Sequence, residues 1–198
     1  MVIKGSHPRR IETGLKKPKA HVFVDASNIH YYLIKKGWRV DWRKFKLFCE
    51  NRYESLRVFY CEGVPSKSQY FDLHPSHSLV DFIDAKKRKL DYFQFLKSIS
   101  YKVRNKPVSR VYDDTAGKFR HKCNFDVELT IDALDSMAEY GVLVLFSGDG
   151  DFVKLVKYIK GRNKKSVVIA PADRLSNNLE RAANQVIYLE DIKRDVSL

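Results

Sequence analysis

Two apolar segments of this sequence end abruptly in carboxylates, and this placement suits chemistry at a sheet edge. The segment LVLFSGDGDF, residues 143–152, puts Asp149 and Asp151 on either side of a glycine, and VFVDASN, residues 22–28, repeats the arrangement with Asp25. Apolar runs of this length are typical of strands buried on both faces of a parallel sheet. Because ligands of an open α/β sheet bind beyond the carboxyl ends of its strands, the pattern predicts three carboxylates at one edge.

Carboxylates brought together need a compensating charge, which a hard divalent cation usually supplies. An aspartate at the start of a helix often does no more than cap it, and this explanation suffices for Asp25 taken alone. A cap needs a single carboxylate, however, whereas Asp149 and Asp151 provide two around Gly150. The acidic residues therefore predict a metal-dependent enzyme, and Gly148 and Gly150 are expected to let the backbone approach its ligand closely.

Two polar side chains lie next to these carboxylates in the sequence. Asn28 is three residues after Asp25, at the start of a predicted helix, where it can bond to that carboxylate or to a substrate phosphate. Ser147 adds a hydroxyl directly before the two glycines. Both residues are expected to position phosphate or ligands.

A second acidic position is the start of a helix predicted over residues 126–139. Asp126 is its first residue, and Thr130 shares the same face one turn later. Asp132 is about 240° around the helix from Asp126. Asp132 is therefore expected to lie behind the ligands rather than among them.

Strands and helices alternate along the rest of the chain. The predicted strands comprise residues 21–24, 56–61, 100–104, 142–146, 166–170 and 186–189. A β-hairpin is expected from residues 108–112 and 118–121 around residues 115–117, and residues 63–75 are expected to form an irregular connection. Strands that alternate with helices indicate βαβ units, so the fold class is α/β with a mostly parallel central sheet.

Three predicted helices have boundaries or apolar faces that follow from the pattern. The helix after Ser78 has one apolar stripe, made of Leu79, Phe82, Ile83, Leu90 and Phe93. The helix over residues 126–139 is expected to bury Val127, Ile131, Leu134 and Ala138. A third helix follows Asp151, and Gly161 is expected to be the first residue beyond its end.

The formal net charge of +13 over 198 residues predicts a polyanionic partner. Nucleic acid is the first candidate, an anionic membrane surface the second, and a charge that serves solubility alone is the alternative. A flexible basic arm is expected over residues 1–19, before one domain over residues 20–198. The densest basic run comprises the candidate phosphate-binding residues Lys86, Lys87, Arg88 and Lys89, for which a solvated helix face is the alternative.

The cysteines and the N-terminal segment bear on the compartment. The three cysteines form no CxxC pair and are odd in number, so neither a disulfide framework nor a zinc site is expected. Residues 1–21 lack the apolar core of a secretory signal, and no apolar run is long enough to span a bilayer. A reducing, cytoplasmic location is therefore expected, with no membrane partner.

Several blocks of the sequence match a known family. They are FVDASN at residues 23–28, the segment from Lys122 to Val127 with Asp132, and SGDGDF at residues 147–152, and the segments 166–169 and 175–189 also fit. In these blocks the chain resembles the NYN-domain family, the LabA-like branch of the PIN-like nuclease superfamily. The resemblance covers residues 20–189 in outline. It implies a Rossmann-like three-layer sandwich with strand order 3-2-1-4-5, to which the hairpin is an insertion.

The resemblance also implies an activity, the cleavage of RNA by acidic residues that bind Mg²⁺ or Mn²⁺. The family's acidic positions are matched by Asp25, Asp126, Asp149 and Asp151. The first three are expected to ligate the main ion, and Asp151 to bind a second ion or orient the attacking water. Single-stranded RNA is the favoured substrate, and a homodimer is among the assemblies that the sequence allows.

Substrate positioning is expected from Asn28, which matches the family's polar helper, and from Ser147, Thr130 and Lys122. The segment from Lys122 to Asp126 is one residue longer than the family's usual run, so the role of Lys122 is the least secured of these by the resemblance.

Other protein classes fit the same motifs less well. A haloacid-dehalogenase-type phosphatase needs a carboxylate two residues after Asp25, where Ser27 stands, and a metal-dependent adhesion site needs a serine where Ile29 stands. A toprim domain fits Asp149 and Asp151 but requires a glutamate after an earlier strand, and dinucleotide binding lacks its GxGxxG. A non-catalytic RNA-binding or regulatory module on the same fold remains the alternative, because fold does not fix function.

Overall fold

A computed structural model describes residues 16–114 and 118–198, with residues 31, 55, 113 and 118–122 described by their backbone alone. Most of the expected arm, residues 1–15, and the hairpin turn, residues 115–117, lie outside the described residues. The strands are β1 (Lys19–Asp25), β2 (Glu54–Val64), β3 (Tyr101–Pro107), β4 (Ser109–Asp113), β5 (Lys118–Lys122), β6 (Val142–Phe146), β7 (Lys165–Ala170) and β8 (Gln185–Tyr188). The helices are α1 (Ala26–Lys35), α2 (Trp42–Glu50), α3 (Lys67–Leu73), α4 (Leu79–Ser98), α5 (Asp126–Asp135), α6 (Val153–Gly161), α7 (Asn177–Ala182) and α8 (Lys193–Val196).

The central sheet has six strands, and all neighbours run parallel. Their order is β3-β2-β1-β6-β7-β8. The five main strands predicted from sequence therefore take the expected order 3-2-1-4-5, and β8 extends one edge. β4 and β5 pair antiparallel outside this sheet, which confirms the hairpin insertion and the α/β class.

Helices cover both faces of the sheet and give the expected three layers. On one face α1, α2, α4 and α8 enclose a core in which Phe45 lies with Val22 and Val24 of β1. On the other face α5, α6 and α7 enclose a second core, where Leu129 lies with Phe23. Because successive residues of β1 enter opposite cores, the strand is apolar from Val22 to Val24, as the sequence indicated.

Residues 63–75 were expected to be irregular, and this expectation is wrong, because they contain α3. The helix begins with a reciprocal capping box, in which Ser66 Oγ accepts from the Gln69 N–H and Gln69 Oε1 accepts from the Ser66 N–H. The Gln69 side-chain amide then donates to the Val108 carbonyl at 2.7 Å. This bond attaches α3 to the chain that enters the hairpin.

The expected buried face of α5 is also wrong. Val127 and Ile131 are 68% and 51% exposed, whereas Leu129 and Ala133 are completely buried. The helix carries apolar residues on two faces, so its periodicity fits either orientation. Because Leu129 packs into the second core, the face that carries it is the buried one. Leu134 and Ala138 are exposed, as Val127 and Ile131 are.

The apolar stripe of α4 is buried only at its far end. Phe93 and Leu96 are buried, whereas Leu79, Ile83 and Leu90 are about half exposed. The helix has 20 residues and spans about 30 Å, whereas the seven residues of β3 beside it span about 23 Å. The helix is therefore longer than β3 by about 7 Å, a little more than one turn.

Two helix ends differ from the expected boundaries. The helix expected over residues 126–139 ends at Asp135, and a 3-10 turn over Met137–Glu139 follows it. Gly161 is the last residue of α6 rather than the first beyond it, and the positive φ of 58° falls at Asn163.

In the described part of the chain, no helix combines the length and the apolar character needed to cross a membrane.

Candidate metal centre

The pairing of β1 with β6 places Asp25 beside Ser147. Val24 is opposite Phe146 in the register, so the next residue of each strand leaves the sheet at the same edge. Ser147 is completely buried, and its Oγ donates to Asp25 Oδ2 at 3.2 Å while accepting from the Asp149 N–H at 3.2 Å. The serine hydroxyl therefore links the carboxylate of one strand to the loop that follows the other.

The SGDGD loop is held in a fixed conformation by side-chain bonds to its backbone. Asp149 Oδ1 accepts from the Asp151 N–H at 3.0 Å and caps the 3-10 turn that leads into α6. Asn28 Oδ1 accepts from the Gly148 N–H at 3.0 Å, which ties the loop to α1. Capping uses one oxygen of Asp149, so the second oxygen stays available for another role.

The glycines of this loop allow close approach to the protein's own chain rather than to a ligand. A Cβ on Gly148 would lie 2.3 Å from the Arg174 carbonyl oxygen, and one on Gly150 would lie 2.9 Å from Ser176 Oγ. The Ser176 N–H also donates to the Gly148 carbonyl at 2.9 Å. The segment after β7 therefore supports the loop from behind, a contact between distant segments that sequence spacing did not reveal.

Asp126 reaches the same edge from α5. Asn124 Oδ1 accepts from the Asp126 N–H at 2.8 Å, and the ring of Phe125 is buried in the second core. An anchored ring on one side and a capped N–H on the other fix the first turn of α5. The helix starts at Asp126, as the sequence predicted.

Three of the four predicted acidic residues converge. Asp126, Asp149 and Asp151 each place a carboxylate oxygen within 4.8 Å of one on each of the others. Three oxygens bound to one octahedral Mg²⁺ at 2.0–2.1 Å include at least two neighbouring pairs that are about 2.9 Å apart, so oxygens up to 4.8 Å apart would have to approach by up to about 2 Å to bind one ion. Carboxylate oxygens are ligands that Mg²⁺ and Mn²⁺ prefer, so the donor set fits such a cation.

Asp25 lies beneath this trio and is 6% exposed. Burial raises the pKa of its carboxyl from the usual 3.8 to about 6, and the charges of Asp126 and Asp149 act in the same direction. Hydrogen bonds from the Asn28 N–H and the Ser147 hydroxyl oppose this rise in pKa. A cation held by the trio would favour the ionised form of Asp25.

The remaining predicted residues are spread around the centre. Thr130 follows Asp126 by one turn of α5 and is half-buried. Asp132 accepts two hydrogen bonds from the Arg104 guanidinium, at 3.1 and 2.8 Å, and so belongs to an ion pair with β3. The side chain of Lys122 lies outside the described part of the structure.

The basic run of α4 is divided by its contacts. Lys89 donates to the buried Glu62 carboxylate at 2.7 Å, so its charge is already paired. Lys86, Lys87 and Arg88 are exposed. Of the four residues of this run, these three therefore present their charges to solvent.

A groove beside the acidic trio was missed at the sequence level. It has a volume of about 820 Å³, begins at Gly150 and Asp151 and continues between α6 and α7, where it is lined by basic side chains. The basic residues of the groove are Lys154, Lys157 and Arg181. They are dispersed over two helices, so no run of charges marked them in the sequence.

A parallel sheet covered by helices on both faces, with an acidic trio at its carboxyl edge, defines a Rossmann-like α/β protein. The model of the NYN domain family matches residues 19–190. The chain therefore belongs to the NYN domain family, and the resemblance noted in the motifs is confirmed.

One curated protein and one solved structure are similar to this chain. The chain is 28% identical over 173 residues to the low amplitude and bright protein LabA of Synechococcus elongatus, and the match covers 87% of this chain and 84% of that protein. A crystal structure of a Vibrio parahaemolyticus protein of unknown function has a TM-score of 0.68 at 23% identity, covering 94% of this chain and 100% of that one. The second similarity shows that the fold is shared.

Proposed function

We propose that this NYN-domain protein is a metal-dependent ribonuclease that hydrolyses RNA phosphodiester bonds with Mg²⁺ or Mn²⁺ in the acidic centre. The observation that carries the proposal is the convergence of Asp126, Asp149 and Asp151 within 4.8 Å, above the buried Asp25. Bringing this much negative charge together is unfavourable unless a cation offsets it. Membership of the NYN domain family supports the same chemistry.

The geometry favours a revised division of roles among the carboxylates. We assign the main ion to Asp126, Asp149 and Asp151, whereas the sequence favoured Asp25 in place of Asp151. Asp25 is the inner carboxylate, which orients the loop through Ser147 and adds negative charge behind the ion. A divalent ion at this position supplies an activated water and offsets the charge that develops on the phosphate.

Two side chains serve this centre by holding it in shape. Ser147 has no exposed surface and bonds to both Asp25 and the Asp149 backbone, so we assign it to positioning the ligands rather than the substrate. The side-chain oxygen of Asn28 accepts a hydrogen bond from the Gly148 N–H. We assign the side-chain amide nitrogen of Asn28 to bonding with a substrate phosphate. We retain single-stranded RNA as the proposed substrate class.

The test is cleavage of a labelled single-stranded RNA of about 20 nucleotides with Mn²⁺, with Mg²⁺ and with chelator. The wild-type protein should cleave with either metal and not with chelator. Removing groups that only orient metal ligands typically costs 10–100-fold in activity, so Asp149→Asn should lower the rate by at least about 100-fold. Asp84→Asn, an exposed position on α4, is the matched control and should leave the rate unchanged.

Three outcomes would contradict the proposal. They are cleavage that persists in chelator, equal rates for Asp149→Asn and the wild-type protein, and binding of RNA without turnover under either metal. The last result would favour the non-catalytic module on the same fold. Circular dichroism spectra of the two variants should match that of the wild-type protein, which keeps a loss of folding apart from a loss of activity.

A further inference from the structure

The groove between α6 and α7 opens directly from the acidic centre. Asp151 belongs both to the acidic trio and to the wall of the groove. Lys154 and Lys157 follow at intervals of three residues along α6, and Asn178 and Arg181 face them from α7. A volume of about 820 Å³ is within the range of about 300–1,000 Å³ that is typical of ligand clefts.

In the part of the chain that the structure describes, the cations of this groove form no ion pair. Among the described residues, no carboxylate lies within 4.0 Å of the charged nitrogens of Lys154, Lys157 or Arg181. Lys89 of the α4 run, in contrast, is bonded to Glu62. Three cations in one concave surface, none of them in an ion pair with a described carboxylate, favour an anionic ligand there.

The arrangement of the cations gives the groove a direction. Three residues advance about 4.5 Å along a helix, so Lys154 and Lys157 form a row that leads away from Asp151 along α6. Arg181 adds a planar, multi-donor group on the opposite wall, a geometry that suits phosphate oxygens. A chain of phosphates, one at the acidic centre and others along the row, matches this order of charges better than a single anion does.

We propose that the α6–α7 groove binds the backbone phosphates of the RNA strand on one side of the bond to be cut. The proposal rests on the proposed ribonuclease function for its choice of RNA, and it names Lys154, Lys157 and Arg181 as the phosphate ligands. The groove, rather than the basic run of α4, then sets the path of the strand into the acidic centre. Asn178 lies at the same wall and adds a hydrogen-bonding group without charge.

The experiment measures binding alone, in chelator, by fluorescence anisotropy of a labelled eight-nucleotide single-stranded RNA between 50 and 200 mM salt. The groove variant carries Lys154→Gln, Lys157→Gln and Arg181→Gln. The control variant carries Lys97→Gln, Lys102→Gln and Lys165→Gln, which remove the same charge near the amino-terminal ends of β3 and β7. Thermal unfolding of both variants checks that each is folded.

The groove variant should bind at least about tenfold more weakly than the control variant at 100 mM salt. Each lost phosphate contact lowers the slope of log affinity against log salt by about 0.7 for single strands, so the slope should fall by about 2. Equal losses in the two folded variants, or unchanged binding in the groove variant, would overturn the proposal. Because no metal is present, tight groove binding together with absent cleavage in Mn²⁺ would contradict the nuclease proposal alone.

Discussion

Asp25 combines two properties that usually exclude each other, deep burial and close acidic neighbours. Its pKa of about 6 means that, without a cation, folding favours the protonated carboxyl. Below the unfolded value of 3.8 both states bind the proton, and between 3.8 and about 6 only the folded state does. The free energy of unfolding therefore falls as the pH rises from 3.8 to about 6. Above this window the loss of stability is complete.

Replacing Asp25 with asparagine should consequently stabilise the metal-free protein at alkaline pH. A pKa difference of about 2 corresponds to about 3 kcal/mol, of which a weaker bond to Ser147 removes part, so we expect a gain of about 2 kcal/mol at pH 8 and little at pH 4. Urea unfolding in chelator measures it. If the variant were less stable than the wild-type protein at pH 8, ionisation of the buried Asp25 carboxyl would not destabilise the folded state.

Gly148 is the residue at which the loop has no room for a side chain. A methyl group there would meet the Arg174 carbonyl at 2.3 Å, so Gly148→Ala must displace backbone. We expect a loss of about 2–3 kcal/mol in the free energy of unfolding, together with weaker metal binding. Gly161→Ala is the control, because nothing lies within 4 Å of its Cβ and a helical alanine stabilises by about 0.5–1 kcal/mol. Equal thermal stability of the two variants would contradict this packing.

At the scale of elements, α5 shows what a local pattern leaves undecided. Val127, Ile131 and Leu134 have helical spacing, and so do Leu129 and Ala133. Which stripe faces the sheet depends on how α5 enters from the hairpin, and Phe125 settles this by packing in the core. The strands β1 and β6 were predictable because both of their faces are apolar, which removes that choice.

The two faces of α5 should respond differently to truncation. Leu129→Ala removes a completely buried side chain and should lower the free energy of unfolding by about 2–5 kcal/mol. Ile131→Ala, on the exposed face, should lower it by less than about 1 kcal/mol. Denaturant unfolding of the two variants measures both values, and a larger loss for Ile131→Ala would mean that α5 is rotated.

The helix α3 was missed although its signal was present. Ser66 and Gln69 have the spacing of a capping box. The helix itself has only seven residues, however, which is too short for its apolar positions to show a helical period. The groove between α6 and α7 had no comparable signal. Its cations come from two helices whose approach depends on the loop after β7, and that loop is placed by contacts with Gly148.

The whole molecule has a net charge of +13 and yet concentrates four aspartates at one sheet edge. The strand order explains how, since β1 and β6 are neighbours and α5 returns to the same edge after the hairpin. Local sequence patterns predict neither the pairing of β1 with β6 nor the return of α5 to the same edge. The expected strand order 3-2-1-4-5 came from the family resemblance. The surrounding positive field attracts phosphates, and a bound cation would let them approach the acidic centre.

The convergence of carboxylates on one ion is tested most directly by a crystal of the protein soaked with Mn²⁺ and measured at the manganese absorption edge. An anomalous peak is expected within about 2.5 Å of carboxylate oxygens from Asp126, Asp149 and Asp151. In a crystal of Asp149→Asn treated in the same way, that peak should be absent or strongly reduced. A wild-type crystal with no anomalous peak between these three side chains, at saturating Mn²⁺, would show that they do not share an ion.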